Sequence, residues 1–76
     1  MREFYSIRLS GHDLGQLLDG LEVRAETWEK TAAYHRTGES PADFIIECGD
    51  AKEAERIASH YRSIIAKIRE QRETQL

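Results

Sequence analysis

Apolar residues recur at helical spacing through the first half of the chain. From residue 14 to residue 35, successive positions lie alternately four and three residues apart, at Leu14, Leu18, Leu21, Ala25, Trp28, Ala32 and His35. This spacing places the side chains along one face of an α-helix as a heptad-like seam, which Leu17 widens. The pattern predicts a helix over about residues 11–37, with Ser10 as its N-cap and Gly38 just past its end.

Two glycines lie inside this predicted helix. Gly15 and Gly20 each cost about 1 kcal/mol relative to alanine, and Asp19 followed by Gly20 could form a turn that splits the helix. The seam, however, passes through this region without losing phase, whereas a broken helix would reset the spacing. We therefore expect a continuous helix that frays or bends near Gly20.

A second helical pattern occupies the last third of the chain. Asp50 and Glu53 form a capping box. Apolar residues then follow at helical spacing, at Ala54, Ile57, Ala58, Tyr61, Ile64, Ile65 and Ile68. The pattern predicts a helix over about residues 51–72 and a frayed tail at 73–76.

The connector over residues 38–50 allows two interpretations. Ser40 and Pro41 suit the start of a short helix over about 41–48. A buried strand over 43–47 is the alternative interpretation, because so short an apolar run fits the spacing of a helix as well as that of a strand.

Residues 3–9 alternate between the two faces of an extended chain. Tyr5, Ile7 and Leu9 share one face, and Phe4, Ser6 and Arg8 share the other. The alternation predicts a short strand over 3–9. Because a lone strand leaves its backbone groups unpaired, it needs a partner within the chain or from a second copy.

The two long helices are joined by about a dozen residues, which favours an antiparallel hairpin. Trp28 would then lie opposite Ala58 and Tyr61. The charged residues in 12–29 are mostly acidic and those in 62–72 are mostly basic, so antiparallel packing also places opposite charges side by side. The predicted core or interface residues are Leu14, Leu18, Leu21, Ala25, Trp28, Ala58, Tyr61, Ile65 and Ile68.

The expected fold is therefore a single, mainly α domain with a short N-terminal strand, at the margin of α+β. A helix of about 26 residues is about 39 Å long. A hairpin of that length has one thin apolar seam, which leaves little room to bury the strand face and residues 44–46 as well. We therefore predict a homodimer, formed by hairpin faces or by paired N-terminal strands.

Composition narrows the class of protein. The chain has 76 residues, of which 39% are hydrophobic and 33% charged, with a net charge of −3. No apolar run approaches the roughly 18 residues of a membrane helix, and residues 1–6 lack the apolar core of a signal peptide. The single cysteine excludes an internal disulfide. We therefore expect a cytoplasmic protein that does not enter the membrane.

No pattern indicates catalysis or a cofactor. The spacing of His12, His35 and His60 is not that of metal ligands, and structural roles are expected for them. Cys48 paired with His35 or His60 could supply a nucleophile and a base. Because Cys48 follows an apolar cluster, however, it is typical of a small core residue. We expect no catalytic residues, metal or cofactor, and hence no enzyme.

The strand-then-helix pattern of residues 4–10 and onward resembles the start of ribbon-helix-helix repressors. The resemblance covers about the first 20 residues and implies dimerisation through the strand, with Arg8, flanked by Arg2, facing DNA. The net negative charge argues against phosphate binding. The leading expectation is a non-enzymatic interaction or accessory module that dimerises and has a possible further protein partner. A DNA-binding regulator is the alternative.

Overall fold

The computed structural model describes residues 3–38 and 48–75. It contains helix α1, Gly11–Thr37, and helix α2, Ala51–Thr74. The two helices pack against each other as a hairpin, which confirms that part of the predicted fold. The short helix predicted over 41–48, and the alternative strand over 43–47, lie outside the described residues, except that Cys48 is not helical.

Local hydrogen bonds fix both ends of α1. The Ser10 hydroxyl accepts a bond of 3.1 Å from the backbone N–H of Asp13, as expected of an N-cap. At the other end, Gly38 takes a left-handed conformation with a φ of 76° and donates its N–H to the carbonyl of Tyr34 at 2.7 Å. Between these ends α1 is unbroken, and it passes through Gly20 as a helix.

A reciprocal capping box begins α2. The Asp50 carboxylate accepts from the N–H of Glu53 at 2.8 Å, and the Glu53 carboxylate accepts from the N–H of Gly49 at 2.7 Å. The helix continues to Thr74, two residues beyond its predicted end. The Thr74 hydroxyl donates a hydrogen bond to the carbonyl of Gln71 at 2.8 Å. This side-chain bond lies in the last turn of α2, and the spacing of apolar residues does not predict it.

Two clusters of apolar side chains fill the space between the helices. The cluster nearer the connector contains Trp28, Ala32, Ala54 and Ala58, with Ile57, Tyr61 and Cys48 packed against it. The cluster nearer the free ends contains Leu18, Ala25 and Ile65, with Leu14, Leu21, Tyr61 and Ile68 packed against it. Tyr61 contacts both clusters. Four of the seven buried apolar residues in the described ranges are alanines, whose small side chains leave room for the one large indole of Trp28.

Three ion pairs cross the hairpin at intervals of seven residues on each helix. Glu22 pairs with Arg69, Glu29 with Arg62, and Arg36 with Glu55. As the residue number rises along α1 it falls along α2, which is the signature of antiparallel packing. We call these three pairs the charge ladder.

The third pair of the charge ladder has the opposite polarity to the first two. If the helices slipped by seven residues in one direction, Glu29 would face Glu55. If they slipped in the other direction, Arg36 would face Arg62. Because like charges at such positions are unfavourable, the ladder disfavours both of the neighbouring registers.

Residues 3–10 have no regular secondary structure in the single chain, and no strand occurs in either described range. The strand predicted over 3–9 is therefore not formed by pairing within the described residues. Its pairing with a second copy stays a prediction.

Candidate functional site

An exposed apolar segment precedes the hairpin. We call residues 3–9 the N-terminal arm. The side chains of Phe4, Tyr5 and Ile7 are 88%, 79% and 77% exposed, and Leu9 is about half exposed. A small domain rarely leaves four large apolar residues uncovered in one short segment, so this surface is the first candidate for a contact with another molecule.

The backbone of the N-terminal arm is also open. No described residue forms a hydrogen bond with a backbone N–H or C=O group of residues 3–9. The one described bond within the arm joins side chains, from the Tyr5 hydroxyl to the Glu3 carboxylate at 2.5 Å. This bond stabilises the protonated phenol beside the carboxylate and raises the pKa of Tyr5. The arm thus presents apolar side chains together with backbone groups that no described residue binds, which is what an added β-strand requires.

The nine residues named from the sequence as core or interface all lie between α1 and α2. Five are buried, namely Leu18, Ala25, Trp28, Ala58 and Ile65. Four are half-buried and pack against these, namely Leu14, Leu21, Tyr61 and Ile68. Because the two helices of one chain already cover this set, it forms the inside of the hairpin. A partner would therefore bind a different surface, and the N-terminal arm provides one.

The two arginines named for DNA contact differ in how far the structure describes them. Arg8 lies in the N-terminal arm with its side chain exposed, whereas Arg2 lies outside the described residues. The described arm carries one acidic group, on Glu3, and one basic group, on Arg8, so it has no excess of positive charge.

At the connector end of the hairpin the structure brings together a thiol and an imidazole. The Sγ atom of Cys48 lies 3.3 Å from Nε2 of His35, which is in the last turn of α1. Cys48 is half-buried, and its Sγ also lies 3.5 Å from the carbonyl oxygen of Asp50. The His35 ring packs edge to face on Tyr34, with 5.6 Å between the ring centroids. Of the two histidines weighed as partners for the thiol, His35 is therefore the one in contact.

The side of the hairpin offers a shallow groove of about 330 Å³ along the charge ladder. Its charged lining consists of Glu29, Arg36, Glu55 and Arg62, which already pair with one another. Arg62 donates two hydrogen bonds to the Glu29 carboxylate, at 3.0 and 2.9 Å, and these bonds lower the pKa of Glu29. The groove therefore has few polar groups left for a ligand.

Within residues 3–38 and 48–75, no three His, Cys, Asp or Glu side chains come together as a metal site would require. Neither described helix combines the length and apolar character needed to cross a membrane. Comparisons with protein-family models, with curated proteins and with solved structures return no significant match to this chain. The N-terminal arm and the Cys48–His35 pair are the two features of the structure that bear on function.

Proposed function

We propose that this protein is a small, non-enzymatic interaction or accessory module that works as a homodimer. In the dimer, the N-terminal arms of two copies pair as an antiparallel two-stranded ribbon. The exposed arm, whose backbone no described residue binds, carries the proposal, because the seam of the hairpin is already filled from within the chain. A two-fold axis through the ribbon places each arm against the same residues of its partner, which is the commonest symmetry of soluble dimers.

Alternation within the arm supports this pairing. Tyr5, Ile7 and Leu9 share one face of an extended segment, so pairing two arms brings six apolar side chains onto one face of the ribbon. A free two-stranded ribbon is marginally stable in water, so that face needs cover. Leu14 is half-buried and Leu17 is 44% exposed at the start of α1, so each hairpin offers apolar surface close to the arm in sequence.

Sedimentation equilibrium at micromolar concentration tests the proposal. We expect the wild-type protein to have about twice the chain mass of 8.8 kDa. Ile7→Lys places a charge on the buried face of the ribbon and should give a monomer whose far-UV circular dichroism is unchanged. Ser6→Lys adds the same charge on the opposite face of the same arm and should leave the dimer intact.

Two outcomes would contradict this proposal. A wild-type monomer over the whole concentration range would remove the dimer. A dimer that tolerates Ile7→Lys as well as Ser6→Lys would place the interface on the hairpin faces rather than on the arms.

DNA binding is the second candidate, favoured by the exposed side chain of Arg8 on the outer face of the proposed ribbon. A ribbon of this kind would present Ser6 and Arg8 to the major groove. A gel-shift series with DNA from upstream of the coding sequence, run at increasing salt concentration, separates the candidates. A shift that weakens with salt and is lost in Arg2→Ala and Arg8→Ala would favour DNA binding. A shift unaffected by both substitutions would exclude the ribbon as the DNA-contacting surface.

A further inference from the structure

We propose that Cys48 and His35 form a thiol–imidazole pair that makes Cys48 a site of reversible mixed-disulfide formation with small-molecule disulfides. This site does not require the dimer. Sγ of Cys48 lies 3.3 Å from Nε2 of His35, which is within hydrogen-bonding range for sulfur. At this distance the imidazole can take the thiol proton directly, without an intervening water.

The position of His35 suits this role. It lies in the last turn of α1, where the free carbonyl groups favour a positively charged side chain. Its Nε2 faces the thiol, and its ring is held against Tyr34. The imidazole can therefore hold a proton at the position from which the thiol releases it.

Three charged side chains close to the pair in sequence, all within the described residues, are already engaged. The carboxylate of Asp50 accepts from the N–H of Glu53, and the carboxylate of Glu53 accepts from the N–H of Gly49. Arg36, next to His35, pairs with Glu55 at 2.9 Å. Asp50 and Glu53 also place two carboxylates at the start of α2, and negative charge there disfavours a thiolate. His35 is consequently the group on which the reactivity of Cys48 depends.

The surroundings of Cys48 suit a mixed disulfide with a small molecule rather than a disulfide within the chain. The thiol is half-buried against the cluster that contains Trp28, so it is not sealed in the core. The indole Nε1 of Trp28 is buried, and none of the described residues accepts its hydrogen. Because Cys48 is the single cysteine, no second thiol of the chain can resolve a mixed disulfide. The adduct would persist until an external thiol removed it.

The proposed exchange needs only the small disulfide as co-reactant. The thiol proton of Cys48 moves to Nε2 of His35, and Sγ attacks one sulfur of the disulfide. The disulfide bond breaks as the new sulfur–sulfur bond forms. The departing thiolate takes the proton from the imidazolium and leaves as a neutral thiol, so protons and electrons balance and the imidazole is restored.

The test measures the rate of mixed-disulfide formation with oxidised glutathione at neutral pH, by intact mass, on the full chain. The reference is an unstructured peptide of residues 46–50, which contains the same cysteine without His35. We expect the protein to react about tenfold faster than the peptide. His35→Gln, which keeps a polar side chain at this position, should bring the rate within about twofold of the peptide. His60→Gln, a matched change on α2, should leave the wild-type rate unchanged.

Circular dichroism of both variants checks that the hairpin is intact. A wild-type rate equal to or below that of the peptide would overturn the proposal. A His35→Gln protein that is folded and reacts as fast as the wild type would overturn it equally, because the imidazole would then have no part in the reaction.

Discussion

Exchanging the charges of Glu29 and Arg62 tests whether the charge ladder stabilises this hairpin in its register. This pair is the central one of the ladder and has bidentate geometry, with bonds of 3.0 and 2.9 Å. Glu29→Arg removes both bonds and places a second guanidinium opposite Arg62. The double variant Glu29→Arg/Arg62→Glu restores an ion pair of reversed polarity at the same place.

The expected magnitude follows from the geometry and exposure of the pair. Both side chains are close to half exposed, at 41% and 47%, so solvent screens the pair. Exposed pairs contribute about 0.2–1 kcal/mol, and a bidentate arginine–carboxylate pair belongs at the upper end of that range. Like-charge repulsion adds a cost of similar size. We therefore expect Glu29→Arg to lower the free energy of unfolding by about 1–2 kcal/mol. For a domain of this size that is a fall in melting temperature of about 4–15 °C.

Thermal unfolding followed by far-UV circular dichroism, at fixed protein concentration, measures the effect. The double variant should recover most of the loss, and about 1 M salt should shrink the differences, because the screening length there is about 3 Å. Glu70→Arg is the matched control, since Glu70 is exposed on α2 and makes no ion pair with a described residue. The ladder does not stabilise the register if the double variant loses as much stability as Glu29→Arg and Arg62→Glu, measured separately and added together. The same follows if Glu70→Arg destabilises the protein equally.

Four further predictions concern the helices and the response to acid. Gly20→Ala should raise the free energy of unfolding in urea by about 1 kcal/mol, because a Cβ at Gly20 would meet nothing within 4 Å; a loss would show that α1 needs the glycine. Gly38→Ala should instead lower it by about 1 kcal/mol, since Gly38 has a φ of 76°. Ala54→Leu should cost about 1–3 kcal/mol, because Ala54 is fully buried beside Trp28, and equal stability would indicate a looser core. The pKa of Glu29 is lowered below its ordinary value of 4.5, so its contribution is present above that value and disappears as the pH falls through the folded-state pKa. Glu29→Gln should therefore flatten the loss of stability below about pH 4.5, and an unchanged acid response would contradict this assignment.

The helical part of the fold was predictable because its signals are local. The N-caps Ser10 and Asp50 act on N–H groups three residues away. The unbroken seam likewise favoured one continuous helix through Gly20, as the structure shows. The end of α2 was less predictable, because it depends on side-chain bonds in the last turn rather than on apolar spacing.

Contacts between distant residues were harder to predict. The excess of acid over residues 12–29 and of base over 62–72 predicted that opposite charges lie side by side, but it named no individual pair. The reversed pair Arg36–Glu55 opposes that trend and was not predicted. Cys48 and His35 lie thirteen residues apart across the connector, and spacing alone could not choose between His35 and His60. In residues 3–9, the alternation of side chains between two faces predicts a segment that can pair as a strand. It does not identify the second strand with which the segment would pair.

By itself, the sequence determined the existence and the buried faces of α1 and α2, both limits of α1 and the start of α2, because hydrogen bonds and apolar spacing within a few residues govern each. The packing of Trp28 with Ala58 and Tyr61 was already predicted from the antiparallel arrangement, and the structure confirms it. The tertiary structure alone decided that Arg36 meets Glu55 and that Cys48 meets His35. The physical reason is that two long helices can slide and rotate against each other by small steps. The register is then selected by the sum of many weak contacts that no single stretch of the chain contains.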